Sequence, residues 1–339
     1  MKELHQIAKA LQPVPQRALI ATVIRVEGSA YRKEGASRLL LPGCCGVGVI
    51  SAGCLEADLE ARFPRLWEEG AARTLVYDMS AEDDLSWGQG AGCNGVVHVL
   101  VEPVGEELRS CLLQMDELLR SGTPVLVIKQ LTQHGAVARS CYLTEQGLTF
   151  GDWGDGIEVL ADAAWGQIRQ SRKSGVHKLE GVERECYLQL VLPQPRLLLV
   201  GAGEDARPLA AYAAAAGFSV TVADWRSDAC SRTHFPQADQ LIAGPLTDIL
   251  EQLDLSLDDA AVIMTHNFQR DREALQLLLQ KQVGYLGVLG PRHRTTRLLE
   301  GNTIPEAVRS PVGLAIGAEG PEEIAVSILA ELIQTRRRR

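Results

Sequence analysis

The sequence predicts an α/β protein in two parts: an N-terminal domain of mixed strands and helices, and a C-terminal Rossmann-like domain on a parallel sheet. Three observations lead there. From Arg196 onward, short apolar runs alternate with helical patterns, the signature of parallel strands joined by crossover helices. The first of these runs ends in Val200-Gly201-Ala202-Gly203 and opens a helix at Ala206. Before residue 192 the strands are instead broken by glycine and proline, and "VLPQPR" (191–196) reads as a linker. The expected domains are therefore 1–192 and 195–339, with the motif core of the first at 15–105.

In the first domain, "RALIATVIRVEGS", "SRLLLP" and "GVGVIS" read as strands. A helix follows over Leu55–Glu69, with Leu55, Leu59 and Phe63 on one side, then strands near Thr74–Asp78 and Val96–Glu102. "GEELRSCLLQMDELLRSG" is helical and stops at Gly122, and strands "PVLVIKQL" and "ARSCYLT" come next. The segment 152–191 fits no single pattern. In the second domain the order is strand "RLLLVGAG", helix 206–216, strands "SVTVADWR" and "QLIAG", and helix "LTDILEQL". Strand "AAVIMTH", helix "REALQLLLQ", strand "GYLGVLG" and a Pro-initiated helix "PEEIAVSILAELIQ" complete it.

The 339 residues are 46% hydrophobic and 23% charged, which supplies a buried core for two or three domains. A net charge of −9 disfavours nucleic acid as a partner, and the terminal "RRRR" reads as a solvated tail. The longest apolar runs are too short to span a bilayer and no secretory core precedes them, so no membrane is expected and a cytoplasmic location is the default. Eight cysteines occur without a Cys-x-x-Cys pair or a zinc-like spacing, which favours free thiols.

Two of those thiols stand apart. Cys54 follows the small turn Ser51-Ala52-Gly53 and begins a helix, where unpaired N–H groups favour anions and thiolates. Cys93 lies in "WGQGAGCNG", again among glycines before a strand, with Gly92 and Asn94 as neighbours. Neither has a nearby histidine that would mark a Cys–His nucleophile. Gly28 and Ser29 end a strand just before the basic residues Arg32, Lys33 and Arg38, an arrangement open to an anion cradle or to a charged hairpin tip.

The second domain offers a different chemistry. Gly201, Gly203 and Ala206 fit the G-x-G-x-x-G/A dinucleotide fingerprint, and Asp224 stands at the next strand end, where a ribose-binding acid belongs, with Arg226 beside it. Glu204 and Asp205 at the helix start would repel a pyrophosphate there. His266 and Asn267 follow one later strand, and Arg292, His293 and Arg294 follow another, so these loops ring one crevice. His266 has no orienting partner visible in the sequence.

"GSAYRKEGASRLL", "ISAGCLE", "GQGAGCNGVVHVLVEP", "VGAGEDARPLA", "MTHNFQRD", "YLGVLGPRHR" and "PVGLAIGAEGPEEIAVSILAEL" together resemble the XdhC/CoxI family, accessory proteins of xanthine dehydrogenase and related molybdenum hydroxylases. The resemblance implies a chaperone rather than a catalyst. Such a protein would bind molybdenum cofactor (molybdopterin), support its sulfuration by a cysteine desulfurase, and deliver it to an apo-hydroxylase. It also implies a homodimer, and Cys54 and Cys93 as sulfur- or metal-contacting thiols, Cys54 being the candidate molybdenum ligand. Gly28, Ser29, Arg32, Gly53, Glu56, Gly92, Asn94 and the loop residues of the second domain would contact cofactor. Departures are Ala52 in place of a second glycine, Tyr31 before Arg32, and Glu204 in the Rossmann turn. The competing reading is an oxidoreductase whose Rossmann domain binds NAD(P) or FAD.

Overall fold

A computed structural model of the chain describes residues 2–13, 17–43, 46–79, 94–154, 156–171 and 173–338. The chain divides into two compact units, Met1–Pro193 and Gln194–Arg339.

The first unit opens on helix α1 (Lys2–Leu11) and carries an antiparallel sheet of β1 (Leu19–Ser29), β2 (Ser37–Leu40), β3 (Arg73–Asp78) and β4 (Asn94–Pro103), ordered β2-β1-β4-β3. Helix α2 (Cys54–Glu69) connects β2 to β3. Alternation along β1 explains how the sheet is covered on both sides. Leu19, Ala21 and Val23 pack with Leu55, Leu59 and Phe63 of α2, whereas Ile20 packs with Ile7 and Leu11 of α1. After Val23 the pairing register with β4 shifts, and the strand runs out to an exposed end at Glu27, Gly28 and Ser29.

Helix α3 (Glu106–Arg120) leads into the unit's other sheet, ordered β7-β6-β5-β9-β8. Its strands are β5 (Val125–Leu131), β6 (Val137–Leu143), β7 (Thr149–Gly151), β8 (Gly175–His177) and β9 (Cys186–Val191), with helix α4 (Ile157–Ser171) before β8. Helix α4 and strands β8 and β9 occupy the segment whose sequence fits no single pattern. The strand expected at "GVGVIS" is not formed: Val47 makes only an isolated bridge to Leu39. A Cβ on Gly46 would lie 2.4 Å from the Leu39 carbonyl oxygen, and one on Gly48 would lie 2.2 Å from that of Ser37. Glycine lets this segment press against β2 as a turn instead of pairing as a strand.

The second unit is a doubly wound sheet. Strands β10 (Arg196–Val200), β11 (Ser219–Asp224), β12 (Gln240–Ala243), β13 (Ala260–Ile263), β14 (Tyr285–Val288) and β15 (Val308–Arg309) pair in parallel in the order β12-β11-β10-β13-β14-β15. Leu197 and Leu199 pack on one face with α5 (Ala206–Ala215) and α9 (Gly320–Arg338). Leu198 and Val200 pack on the other with α6 (Leu246–Gln252), α7 (Phe268–Gln280) and α8 (Arg292–Leu298). Burial on both faces is what makes these strands continuous apolar runs. Arg292, expected in a loop, instead opens α8, whose N-cap is Pro291. Strand order reverses between β10 and β13, which sets the ligand crevice of such folds at the carboxyl ends of these strands.

Candidate functional site

In the first unit the sequence candidates Gly53, Cys54 and Glu56 lie together at the turn into α2. Gly53 is the N-cap, at φ 119, and a Cβ there would meet nothing within 4 Å. Only glycine takes that backbone region without strain. Ala52 and Gly53 are exposed, and Cys54 is half-buried as the first residue of the helix. The Ser51 hydroxyl organises the turn. It accepts from the Gly53 and Leu55 amides at 3.0 and 3.1 Å, lies 3.8 Å from the Cys54 Sγ, and donates to Glu56 Oε2. The other Glu56 oxygen accepts from the Ile50 and Ser51 amides at 2.9 and 2.8 Å. Burial by itself would raise the Glu56 pKa, but these hydrogen bonds outweigh it and hold the carboxyl below its ordinary value. Glu56 thus faces inward as the brace of the turn that presents Cys54.

The other sequence candidates of this unit fall in two places. Gly28 (φ 81) pairs with Gly95, and Ser29 with Asn94, so the end of β1 and the start of β4 lie side by side. A Cβ on Gly95 would be 2.3 Å from the Glu27 carbonyl oxygen, so the two backbones approach closely there. Gly92 and Cys93, like Cys44 and Cys45, lie outside the described residues. Arg32 is engaged with Glu3 of α1, at 2.8 and 2.7 Å. Arg38 reaches the Gly48 carbonyl and Glu60, both at 2.7 Å. Both cations therefore have partners within the chain. Among the described residues no group of three or more His, Cys, Asp or Glu is arranged to hold a metal ion.

In the second unit the glycine turn has the expected geometry. Gly201 has φ 119, and a Cβ on it would stand 2.6 Å from the Met264 carbonyl oxygen across the switch point. Ala206, fully buried, starts α5. His266 adopts a left-handed backbone (φ 57), and its Nε2 lies 2.6 Å from Asp205 Oδ2. That carboxylate is the orienting partner the linear sequence hid. Asn267 caps α7, accepting from the Arg270 amide at 3.1 Å. Buried Asp271 accepts from the Thr265 amide and hydroxyl at 3.1 and 2.5 Å and from Arg294 at 2.5 Å. Arg292 is exposed.

Asp224 is buried at the end of β11 and accepts from the Ala202 amide (2.6 Å), the Arg226 amide (2.8 Å), and Arg226 Nε and a terminal nitrogen (3.0 and 2.9 Å). Burial raises its pKa, but those bonds, led by Arg226, overcome this and hold it below the ordinary carboxylate value. Beside it lies a small cleft bordered by Asp224, Trp225, Gly244, Leu246, Ile249 and Arg270. Arg226 and Arg270 place their guanidinium carbons 4.6 and 5.5 Å from the Trp225 ring centre. Sequence reasoning does not single out Trp225 or Arg270, although Trp225 sits between two residues that it does.

Similarity to known proteins runs the length of the chain. Residues 14–78 match the XdhC and CoxI family, residues 106–192 the BH1974-like central domain, and residues 197–332 the XdhC Rossmann domain. A Bacillus subtilis (strain 168) protein, named as a probable xanthine dehydrogenase subunit, is 43% identical over 340 residues, covering 100% of this chain and 99% of its own. The molybdenum cofactor insertion chaperone PaoD of Escherichia coli (strain K12) is 24% identical over 330 residues, 94% of this chain and 83% of its own. A crystal structure from Bacillus halodurans described as a xanthine dehydrogenase matches with a TM-score of 0.86 at 41% identity, covering 99% of this chain and 96% of that one. No helix among the described residues is long and apolar enough to cross a membrane.

Proposed function

Because the chain belongs to the XdhC and CoxI family, we propose that it is an accessory protein that carries molybdenum cofactor for a hydroxylase of the xanthine dehydrogenase kind. In this reading it binds the cofactor as cargo, supports sulfuration with a cysteine desulfurase as the sulfur source, and hands it to the apoenzyme. The carrier works as a homodimer.

The observation that carries the reading is the exposed Ala52-Gly53 turn with the Cys54 thiol at its end, held from behind by Ser51 and Glu56. A soft thiolate suits a dithiolene-bound metal or a sulfur atom in transit. An open turn with no side chain at Gly53 leaves room for a bulky cargo to approach the backbone. Glu56 contributes by fixing the thiol's position, not by touching the cargo.

The test is anaerobic purification of the chain after co-expression with cofactor-synthesis enzymes, followed by molybdenum and pterin analysis per chain. The wild type should retain both. Cys54→Ser should keep its far-ultraviolet circular dichroism and lose metal retention, sulfur transfer to the hydroxylase, or both. Wild-type chain free of pterin would remove the carrier reading, and a Cys54→Ser variant that matures the hydroxylase normally would remove the thiol's role.

A further inference from the structure

We propose that a groove of the first unit, between helix α3 and strand β7, binds an extended segment of a partner protein rich in arginine and lysine. The groove has a volume of about 1100 Å³. Pro103, Leu113 and Phe150 give it apolar surface, and the Phe150 ring is stacked on buried Tyr142 at 5.0 Å between centroids. Its carboxylates are Glu102, Glu106, Glu107, Glu117 and Asp152, and Arg109 is the one cation among its described lining residues. That guanidinium is already engaged, donating to the Leu11 and Gln12 carbonyls at 2.8 Å each. Glu106, Glu107 and Glu117 have no ion-pair partner among the described residues. A cleft lined by one sign of charge concentrates the opposite sign.

A second observation points to the same sign of ligand. The Glu102 side chain is only 7% exposed, and its Oε2 accepts from Lys129. Its Oε1 receives no hydrogen bond from the described residues, and the residue borders the groove. A buried carboxylate oxygen without a donor costs free energy that an incoming N–H recovers. The charge to be met is also drawn out along a line. Among the described residues no group of three or more His, Cys, Asp or Glu could hold a metal ion. Glu106 and Glu117 stand at opposite ends of the lining face of α3, about 16 Å apart along the helix axis. About five extended residues span that length. Arginine and lysine carry their charge on long apolar stems, which suit carboxylates set beside Leu113 and Phe150. The groove does not include Cys54, so loss of molybdenum in Cys54→Ser and loss of the basic segment in α3 variants can each occur without the other.

Fluorescence anisotropy of the full chain with a labelled peptide of alternating arginine and glycine tests the proposal. Glu107 and Glu117 are exposed on α3, so the double variant Glu107→Lys/Glu117→Lys should keep its circular dichroism and bind the peptide about ten-fold or more weakly, the loss expected of charge-assisted hydrogen bonds. The matched reversal Glu180→Lys/Glu183→Lys, at exposed acids outside the groove, should stay within about two-fold of the wild type. Half-buried Cys111 lines the groove and reports occupancy directly: bound peptide should slow its alkylation by a maleimide, read by peptide mass spectrometry, and leave the rate at Cys54 unchanged. Absence of peptide binding, equal losses in the two reversal variants, or an unchanged Cys111 rate with peptide bound would overturn the proposal. Tighter binding of spermine than of the peptide would also overturn it, by assigning the groove to a free polyamine.

Discussion

His266 and Asp205 stand 61 residues apart in sequence and 2.6 Å apart in space, imidazole Nε2 to carboxylate Oδ2. The contact ties the turn after β13 to the start of α5, the two segments that flank the switch point. Gly203 lies against both partners: a Cβ there would come within 2.9 Å of Asp205 Oδ1 and 3.8 Å of His266 Cδ2. Asp205, which repels an anion when read alone, is thus partnered by a base that carries positive charge when protonated. The glycine turn is closed by a pair rather than by an isolated acid.

The left-handed backbone of His266 is testable by itself. His, Asn and Gly tolerate φ near 57, and β-branched residues do not. His266→Val should lower stability by about 1–3 kcal/mol, whereas His266→Asn should stay near the wild type. Urea unfolding followed by circular dichroism distinguishes them. Equal losses in the two variants would place the cost in the Asp205 contact instead of the backbone.

Glu56 makes the first turn of α2 acid-sensitive. Its pKa is lowered by folding, so its contribution to stability is present above the unfolded value, about 4.3, and is lost as pH falls through the lower folded value. Glu56→Gln removes that dependence and leaves the Ile50 and Ser51 amides with a weaker acceptor. At pH 7 the variant should be less stable by about 1–3 kcal/mol. The gap between the two proteins should close as unfolding is measured at successively lower pH. A gap that widens in acid would contradict the assignment.

The sequence revealed the second unit better than the first, for physical reasons. Strands buried on both faces, such as Leu197–Val200, leave an unbroken apolar run, and the Gly201 and Gly203 spacing marks the turn that follows. The "GVGVIS" run looks equally strand-like, because an apolar alternation does not reveal that Gly46 and Gly48 lie against the backbone of β2. Helix α4 and strands β8 and β9 are hidden for the opposite reason: the strands are short and their pattern belongs to a sheet completed by β5, some 60 residues earlier. At the sites, residue type is legible and engagement is not. Glu56, Arg32 and Asp224 read as ligand contacts, and only the structure shows the bonds that each also makes inside the chain, to Ser51, Glu3 and Arg226.

Thiol chemistry should separate the described cysteines cleanly. Burial pushes Cys141 up to about 12 and Cys186 up to about 11, and it raises Cys111 and Cys230 as well. Cys54 sits half-buried at an exposed turn. With a limited amount of iodoacetamide at pH 8, peptide mass spectrometry should find Cys54 alkylated well before Cys141 and Cys186. Comparable labelling of all three would mean that the turn before α2 is closed in solution.

The two sheets of the first unit are joined by a buried ion pair, Lys129 Nζ of β5 donating to Glu102 Oε2 of β4, with side chains 8% and 7% exposed. Burial first, and then the Glu102 charge, hold the Tyr142 and Tyr187 hydroxyls above their ordinary pKa, so that carboxylate sits in the interior beside two buried rings. Removing one partner strands the other charge away from water. Lys129→Met or Glu102→Leu should therefore each cost about 3–5 kcal/mol, while the double variant recovers most of it because two apolar groups need no compensation. Denaturant unfolding of the three variants forms a double-mutant cycle. Additive losses, with the double variant the least stable, would mean that the two charges do not depend on each other, against their reading as a coupled buried pair.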